Sequence, residues 1–181
     1  MESRKENPIA VQSKKWILDA LLSLMEEKDF YSISITELTE RAGLDRKTFY
    51  RNFRSKEDVL FLKLHELCQL YAEKLQELSQ ISAYTLSKAY FDICVSNIHF
   101  LSLLNHHNLL PLALMKFDEY LPTLNDLFLS NPTYRNKSKY ELSYQAGGFW
   151  NITIQWLNDG GQETAEEMAT IMSTIMPSPL K

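Results

Sequence analysis

A chain of 181 residues, 45% hydrophobic and with a net charge of −4, is long enough to bury a substantial core as one domain or two small ones. An acidic chain does not hold DNA through bulk charge, so any nucleic-acid role must rest on local charge placement. The two cysteines, Cys68 and Cys94, are far apart and show no Cys/His metal spacing, which excludes a disulfide framework or zinc knuckle and suits a reducing cytoplasm.

In chain order, polar residues 1–9 with Pro8 read as a loose arm, and a first helix is expected from Val11 to Lys28. Ile17, Leu21, Leu24 and Met25 recur there at three- and four-residue spacing. The apolar run Trp16 to Met25 is interrupted by Asp19 and closed by Glu26 and Glu27, so it reads as neither signal peptide nor membrane span. After the linker DFYSIS, Thr36 is the expected N-cap of a short second helix with Leu38 and Ala42 on one face. Gly43 ends it, tolerating the left-handed backbone of a tight turn. Leu44 then points into the core and Asp45 caps a third helix. Phe49 and Phe53, four apart, should pack inward, which turns Arg46, Lys47, Tyr50 and Arg51 to another face. Ser55 and Asp58 form a capping-box pattern opening a long helix, whose apolar positions run from Val59 and Leu60 through Leu67, Tyr71 and Leu75 to Leu78.

Charge is focused on this stretch. Residues 1–66 carry equal numbers of cations and anions, yet within 41–56 six cations (Arg41, Arg46, Lys47, Arg51, Arg54, Lys56) face only Asp45, a net of +5. Residues 67–181 carry −4. A short helix dense in cations and hydrogen-bonding side chains, braced by another helix across a glycine turn, suits the major groove of DNA.

The remainder is helical in pattern, with segments expected at Ser87–His107, a piece ending near Lys116, Pro122–Ser130, Ser138–Asn158 and Thr164–Met176. Breaks fall at Pro111, Pro122, Asn131-Pro132 and Gly160-Gly161. Nothing reads as a strand ladder, so the fold class is all-α. Gly147 and Gly148 sit inside a helical run, where each costs about 1 kcal/mol relative to Ala. Two readings compensate for that: a two-fold dimer interface formed with Ile152 and Trp156, or close packing within one subunit. His99, His106, His107 and Cys94 lack a third ligand at good spacing, so no metal site is expected. The aromatics between Tyr84 and Trp156 suit either an apolar pocket or a packed core. No phosphate loop, nucleophile elbow or paired carboxylates indicate an enzyme, and no cofactor is called for.

The run ITELTERAGLDRKTFYRNF at 35–53, the preceding helix and the trailing Ser55-Lys56-Glu57 resemble the tetracycline-repressor (TetR) family of bacterial regulators over residues 10–62. Ala42-Gly43-Leu44 and Thr-Phe-Tyr-Arg-Asn-Phe at 48–53 carry the likeness. Thr39 departs from the family's usual Ala and is expected to fold its hydroxyl onto a carbonyl of the preceding turn. Residues 140–169 resemble the last two helices of one branch of these regulators, whereas 79–135 resemble nothing specific.

The resemblance implies a three-helix DNA-binding head, 1–54, and a larger helical regulatory and dimerisation domain, 55–181. It also implies a cytoplasmic homodimer, a repressor on a pseudo-palindromic operator released by an effector whose pocket the sequence does not locate. The alternative is an activator, or a regulator whose second domain docks a protein partner. In that setting Arg46 and Lys47 are the expected base-edge contacts. Thr36, Tyr50, Arg51 and Lys56 are expected at phosphates. Thr48 suits a thymine methyl, and Asn52 an adenine or a phosphate, although either can equally face solvent.

Overall fold

In the computed structural model, residues 7–115 and 139–176 are described, and among them helices are the regular structure throughout. The chain divides into two compact units, Met1–Leu64 and His65–Lys181. The division expected between residues 54 and 55 thus falls ten residues later, inside a helix.

In the first unit, α1 spans Pro8–Glu27 and begins earlier than expected. Asn7 caps it, its side chain accepting the Ile9 N–H at 3.0 Å, and Pro8 fills a first-turn position where its missing N–H is not needed. Ile17, Leu18, Leu21, Leu24 and Met25 form its buried stripe. A single 3-10 turn, Phe30–Ser32, follows, capped by Asp29 through the Tyr31 N–H at 2.8 Å.

The second helix, α2, spans Ile35–Arg41, and its N-cap is Ser34, not Thr36: Ser34 Oγ accepts the Glu37 N–H at 3.2 Å. Thr39 is buried and its hydroxyl donates to the carbonyls of Ile35 and Thr36, both at 2.9 Å, which makes a polar residue tolerable there. The helix ends in a Schellman turn. Gly43 N–H reaches Glu40 O at 3.1 Å and Leu44 N–H reaches Thr39 O at 2.9 Å, with Gly43 at φ +66°. α3 then spans Arg46–Asn52, its first turn closed by Asp45 accepting the Thr48 N–H at 2.6 Å. Phe49 and Phe53 are both buried, rings 5.8 Å apart, as the four-residue spacing required.

From there α4 runs Lys56–Glu77. Its start is the reciprocal box read from the sequence: Asp58 N–H donates to Ser55 Oγ at 3.3 Å and Asp58 Oδ2 accepts the Ser55 N–H at 3.3 Å. In the second unit, Tyr71 and Leu75 of α4 pack with Leu86, Ala89 and Ile93 of α5, Ala83–Ser96. The segment expected at Ser87–His107 is two helices, α5 and α6 (Ile98–His106), because Asn97 leaves helical geometry and turns its amide onto Ile93 O at 2.9 Å. Residues 110–115 are helical as well. The expected Pro122–Ser130 helix and the break at Asn131-Pro132 lie outside the described residues. α7 spans Lys139–Asn158, and α8 spans Ala165–Ile175 behind a Thr164/Glu167 capping box. α5 packs along α8, and Lys88 joins them by an ion pair to Glu166 at 2.9 Å.

The turn between α7 and α8 is tighter than the one at Gly43. At Gly161, φ is +63° and an added Cβ would stand 2.4 Å from Ile98 Cδ1, whereas at Gly43 it would meet nothing within 4 Å among the described residues. Gly43→Ala therefore carries only the left-handed penalty of about 1 kcal/mol, and Gly161→Ala adds displacement of Ile98 for a total of about 2 kcal/mol. Denaturant midpoints of the two variants check the order.

Candidate nucleic-acid interface

The face of α3 opposite buried Phe49 presents Arg46, Lys47, Tyr50 and Arg51 to solvent, with Thr48 and Asn52 half-buried at its edges. Thr36, at the start of α2, is also exposed. The Arg46 guanidinium sits 5.9 Å from the Tyr50 ring centroid, while Arg51 Nη2 makes a long contact, 3.5 Å, to Thr48 Oγ1. Asn52 differs from expectation, since its Nδ2 donates to Thr48 O at 2.8 Å and its amide is turned back along its own helix. Residues four apart on a helix are neighbours, which makes this local bond available at no cost in chain ordering.

Lys56 is the main correction. Its ammonium is directed into the head, donating to Phe30 O at 2.7 Å and Ile33 O at 2.5 Å and lying 4.7 Å from the Phe30 ring centroid. Two of its three donors and one face are occupied, so it is a strut between the start of α4 and the α1–α2 connection and is not turned outward as a phosphate contact would require. Arg41 is also engaged: it forms a bidentate pair with Glu27 at 2.7 and 2.9 Å and a hydrogen bond to Ser23 at 2.8 Å. Of the six cations in the +5 window, Lys56 is half-buried and Arg41, though exposed, is paired with Glu27, which leaves Arg46, Lys47, Arg51 and Arg54 as the other exposed ones. Arg54, absent from the expected contacts, follows α3, and its backbone N–H is held by Asp58 Oδ2 at 2.9 Å.

Three carboxylates brace this surface and are held below the ordinary range. Glu27 is lowered chiefly by its hydrogen bond from Arg41, Glu37 by that from Lys28, and Asp45 by the Thr48 backbone N–H. A depressed folded pKa contributes stability that is present above the unfolded value and lost as pH falls through the folded one. The head is therefore expected to hold its stability near neutrality and lose it on acidification below the usual carboxylate range. Glu27→Gln should make that acid loss shallower in thermal melts run from pH 7 to pH 3.

The second unit separates the residues proposed for an interface between copies. Among the described residues, a Cβ added at Gly147 or Gly148 would meet nothing within 4 Å, and Gly148 is exposed, so close packing against those residues does not account for either glycine. Ile152 is half-buried. Trp156 is only 3% exposed and packs edge-on against Phe91 at 5.9 Å; a side chain enclosed by its own subunit offers no surface to a partner, so it leaves the interface set. Tyr140 and Tyr144 share the open face with Gly148 and Asn151, and the two tyrosines are 73% and 79% exposed.

Tyr90 and Phe91 of α5 pack with Phe149 and Trp156 of α7: Tyr90 stands edge-on to Phe149 at 5.1 Å, and its hydroxyl lies 2.9 Å from Thr153 Oγ1. Burial pushes the Cys94 thiol up to about 12 and Cys68 to about 11, which leaves neither activated as a nucleophile. Among the described residues, no three His, Cys, Asp or Glu side chains are grouped to hold a metal ion.

A family model for bacterial regulatory proteins of the tetR family matches residues 17–61, and a second, for the C-terminal region of transcriptional regulators, matches 114–178. The chain belongs to the TetR family. The TetR head model covers α2, α3 and most of α1, the elements that build the cationic face. The fatty acid metabolism regulator protein of Bacillus subtilis is 27% identical over 93 residues, which is 51% of this chain and 46% of that protein. The match thus spans less than half of that relative's length.

Two solved structures share the fold. FadR of Bacillus subtilis in complex with stearoyl-CoA aligns over 92% of this chain and 99% of its own, with a TM-score of 0.65 at 15% identity. AibR in complex with isovaleryl coenzyme A and operator DNA covers 91% and 97%, with a TM-score of 0.53 at 14% identity. As a TetR-family protein the chain is a DNA-binding transcriptional regulator. Regulators of this family bind DNA as dimers and often take small-molecule effectors such as acyl-CoA; its relatives are regulators, not enzymes. No helix among the described residues is long and apolar enough to cross a membrane.

Proposed function

We propose that this TetR-family regulator is a dimeric repressor that reads a pseudo-palindromic operator through α3 and is released by an acyl-CoA. The observation that carries the first part is the outward face of α3, where Arg46 and Lys47 are exposed above a buried Phe49–Phe53 base. Arg46 supplies a planar fork able to meet guanine O6 and N7, and Lys47 a second base-edge donor. Tyr50, Arg51, Arg54 and Thr36 serve the phosphates on either side, and Thr48 meets a thymine methyl. Paired heads would read half-sites about 34–36 Å apart or a multiple of that.

The acyl-CoA complexes of FadR and AibR, which share the fold, support this effector class. An acyl-CoA that binds the DNA-free arrangement more tightly than the DNA-bound one shifts the protein off its operator, and one that binds both equally does nothing. The continuous helix α4, which begins in the head and ends in the second unit, is the covalent route for that shift.

Selection of bound duplexes from a random pool tests the reading. A symmetric pair of half-sites supports it, and a single asymmetric site counts against the dimer. On the selected duplex, Arg46→Ala should lose about 1–3 kcal/mol and relax preference at one base pair per half-site. Titrating stearoyl-CoA and isovaleryl-CoA into the complex should raise the duplex Kd. Indifference to both would remove the acyl-CoA assignment.

A further inference from the structure

The polar side chains of α3 divide into those bound to their own helix and those that are not. Asn52 is tied to Thr48 O and Arg51 touches Thr48 Oγ1. Arg46 has no such bond; its partner is the ring of Tyr50, one turn on, 5.9 Å from guanidinium carbon to centroid. That ring is itself held. Tyr50 stands edge-on to Phe49, centroids 5.4 Å apart and planes at 88°, and Phe49 is fully buried against Phe53. A contact series therefore runs from the core of the head, through Phe49 and the half-exposed Tyr50 ring, to the Arg46 guanidinium.

We infer that Tyr50 is a positioning residue for base recognition, its ring acting as a shelf that orients the Arg46 fork; this rests on the reading that α3 contacts base edges. At 5.9 Å the guanidinium carbon lies within cation–π range of the ring, and a guanidinium held over an aromatic face keeps N–H donors turned outward, where a guanine edge can take two of them. Holding the side chain there before contact also reduces the rotamer freedom lost on binding. The ring does this, and the exposed phenol, which makes no hydrogen bond among the described residues, is left for a phosphate. Tyr50 thereby acts on specificity through its ring and on general affinity through its hydroxyl.

The test uses the full-length protein, the tightest duplex recovered from the random pool, and all single-base variants of one half-site. Wild type, Arg46→Ala, Tyr50→Phe, Tyr50→Leu and the Arg46→Ala/Tyr50→Leu pair are titrated at several salt concentrations, after melting curves confirm that each is folded. Tyr50→Leu is expected to reduce discrimination by about threefold at the same base pair that Arg46→Ala relaxes, and to add nothing when Arg46 is already Ala. Tyr50→Phe is expected to keep that discrimination while weakening all duplexes alike.

Two results would overturn the inference with the base-reading role of Arg46 intact: Tyr50→Leu lowering every duplex equally, or Tyr50→Phe losing discrimination as fully as Tyr50→Leu. If Arg46→Ala itself leaves every preference unchanged, the underlying reading fails and the shelf fails with it.

Discussion

Replacing Lys56 by Met lowers the free energy of unfolding by about 2–3 kcal/mol and leaves the salt dependence of DNA binding unchanged. The first half of this expectation follows from the two carbonyls that share the ammonium, those of Phe30 and Ile33, both residues being buried. Hydrogen bonds to a charged donor are stronger than neutral ones, and removing the donor takes the ammonium from both carbonyls, leaving Phe30 O with the Ile33 N–H at 3.2 Å. Burial lowers the Lys56 pKa, so the ammonium is drawn in against a desolvation cost that these acceptors offset. Met preserves the apolar stem over the Phe30 ring, which confines the change to the charge and its hydrogen bonds. The second half follows because a side chain turned into the head releases no counterions from DNA. Urea denaturation and salt-titrated binding measure the two halves separately. A flattened salt slope with an unchanged urea midpoint would return Lys56 to the phosphate backbone.

Lys56 also shows where sequence reading stops. Features set by neighbours along the chain were legible: the Gly43 turn, the Asp45 cap, the Ser55/Asp58 box, the Thr39 hydroxyl and the inward pair Phe49 and Phe53. Each depends on residues three to five positions apart, where helix geometry fixes who meets whom. The misreadings depend on partners far along the chain. Arg41 finds Glu27 across the α1–α2 packing, and Lys56 finds Phe30 and Ile33 across the start of α4; the +5 window counts both as available charge. Counting charge in a window reports composition and is blind to pairing.

The N-cap of α2 failed for a different reason. Ser34 and Thr36 both offer a hydroxyl, and only the backbone angles decide which precedes the first helical residue. Trp156 was misplaced because periodicity says which residues share a helix face but not whether that face is covered by the same subunit or by another.

The same limit makes the glycines of α7 the sharpest test of assembly. Among the described residues, alanine at Gly147 or Gly148 would meet no neighbour and would strengthen the helix by about 1 kcal/mol each, so those residues give no reason for glycine at either position. A partner helix lying on the face of Tyr140, Tyr144, Gly148 and Asn151 would supply one, because glycine lets backbones approach closely where any larger side chain holds them apart. Gly148→Leu should then raise the dimer dissociation constant at least about tenfold, equivalent to ~1.4 kcal/mol, without lowering the melting temperature of the monomer. Operator binding should become steeply concentration-dependent, because two heads joined in a dimer gain effective concentration that separate heads lack. Sedimentation at micromolar and nanomolar protein reads the first effect directly. A Gly148→Leu protein that sediments as a dimer throughout that range would move the two-fold interface off this face of α7.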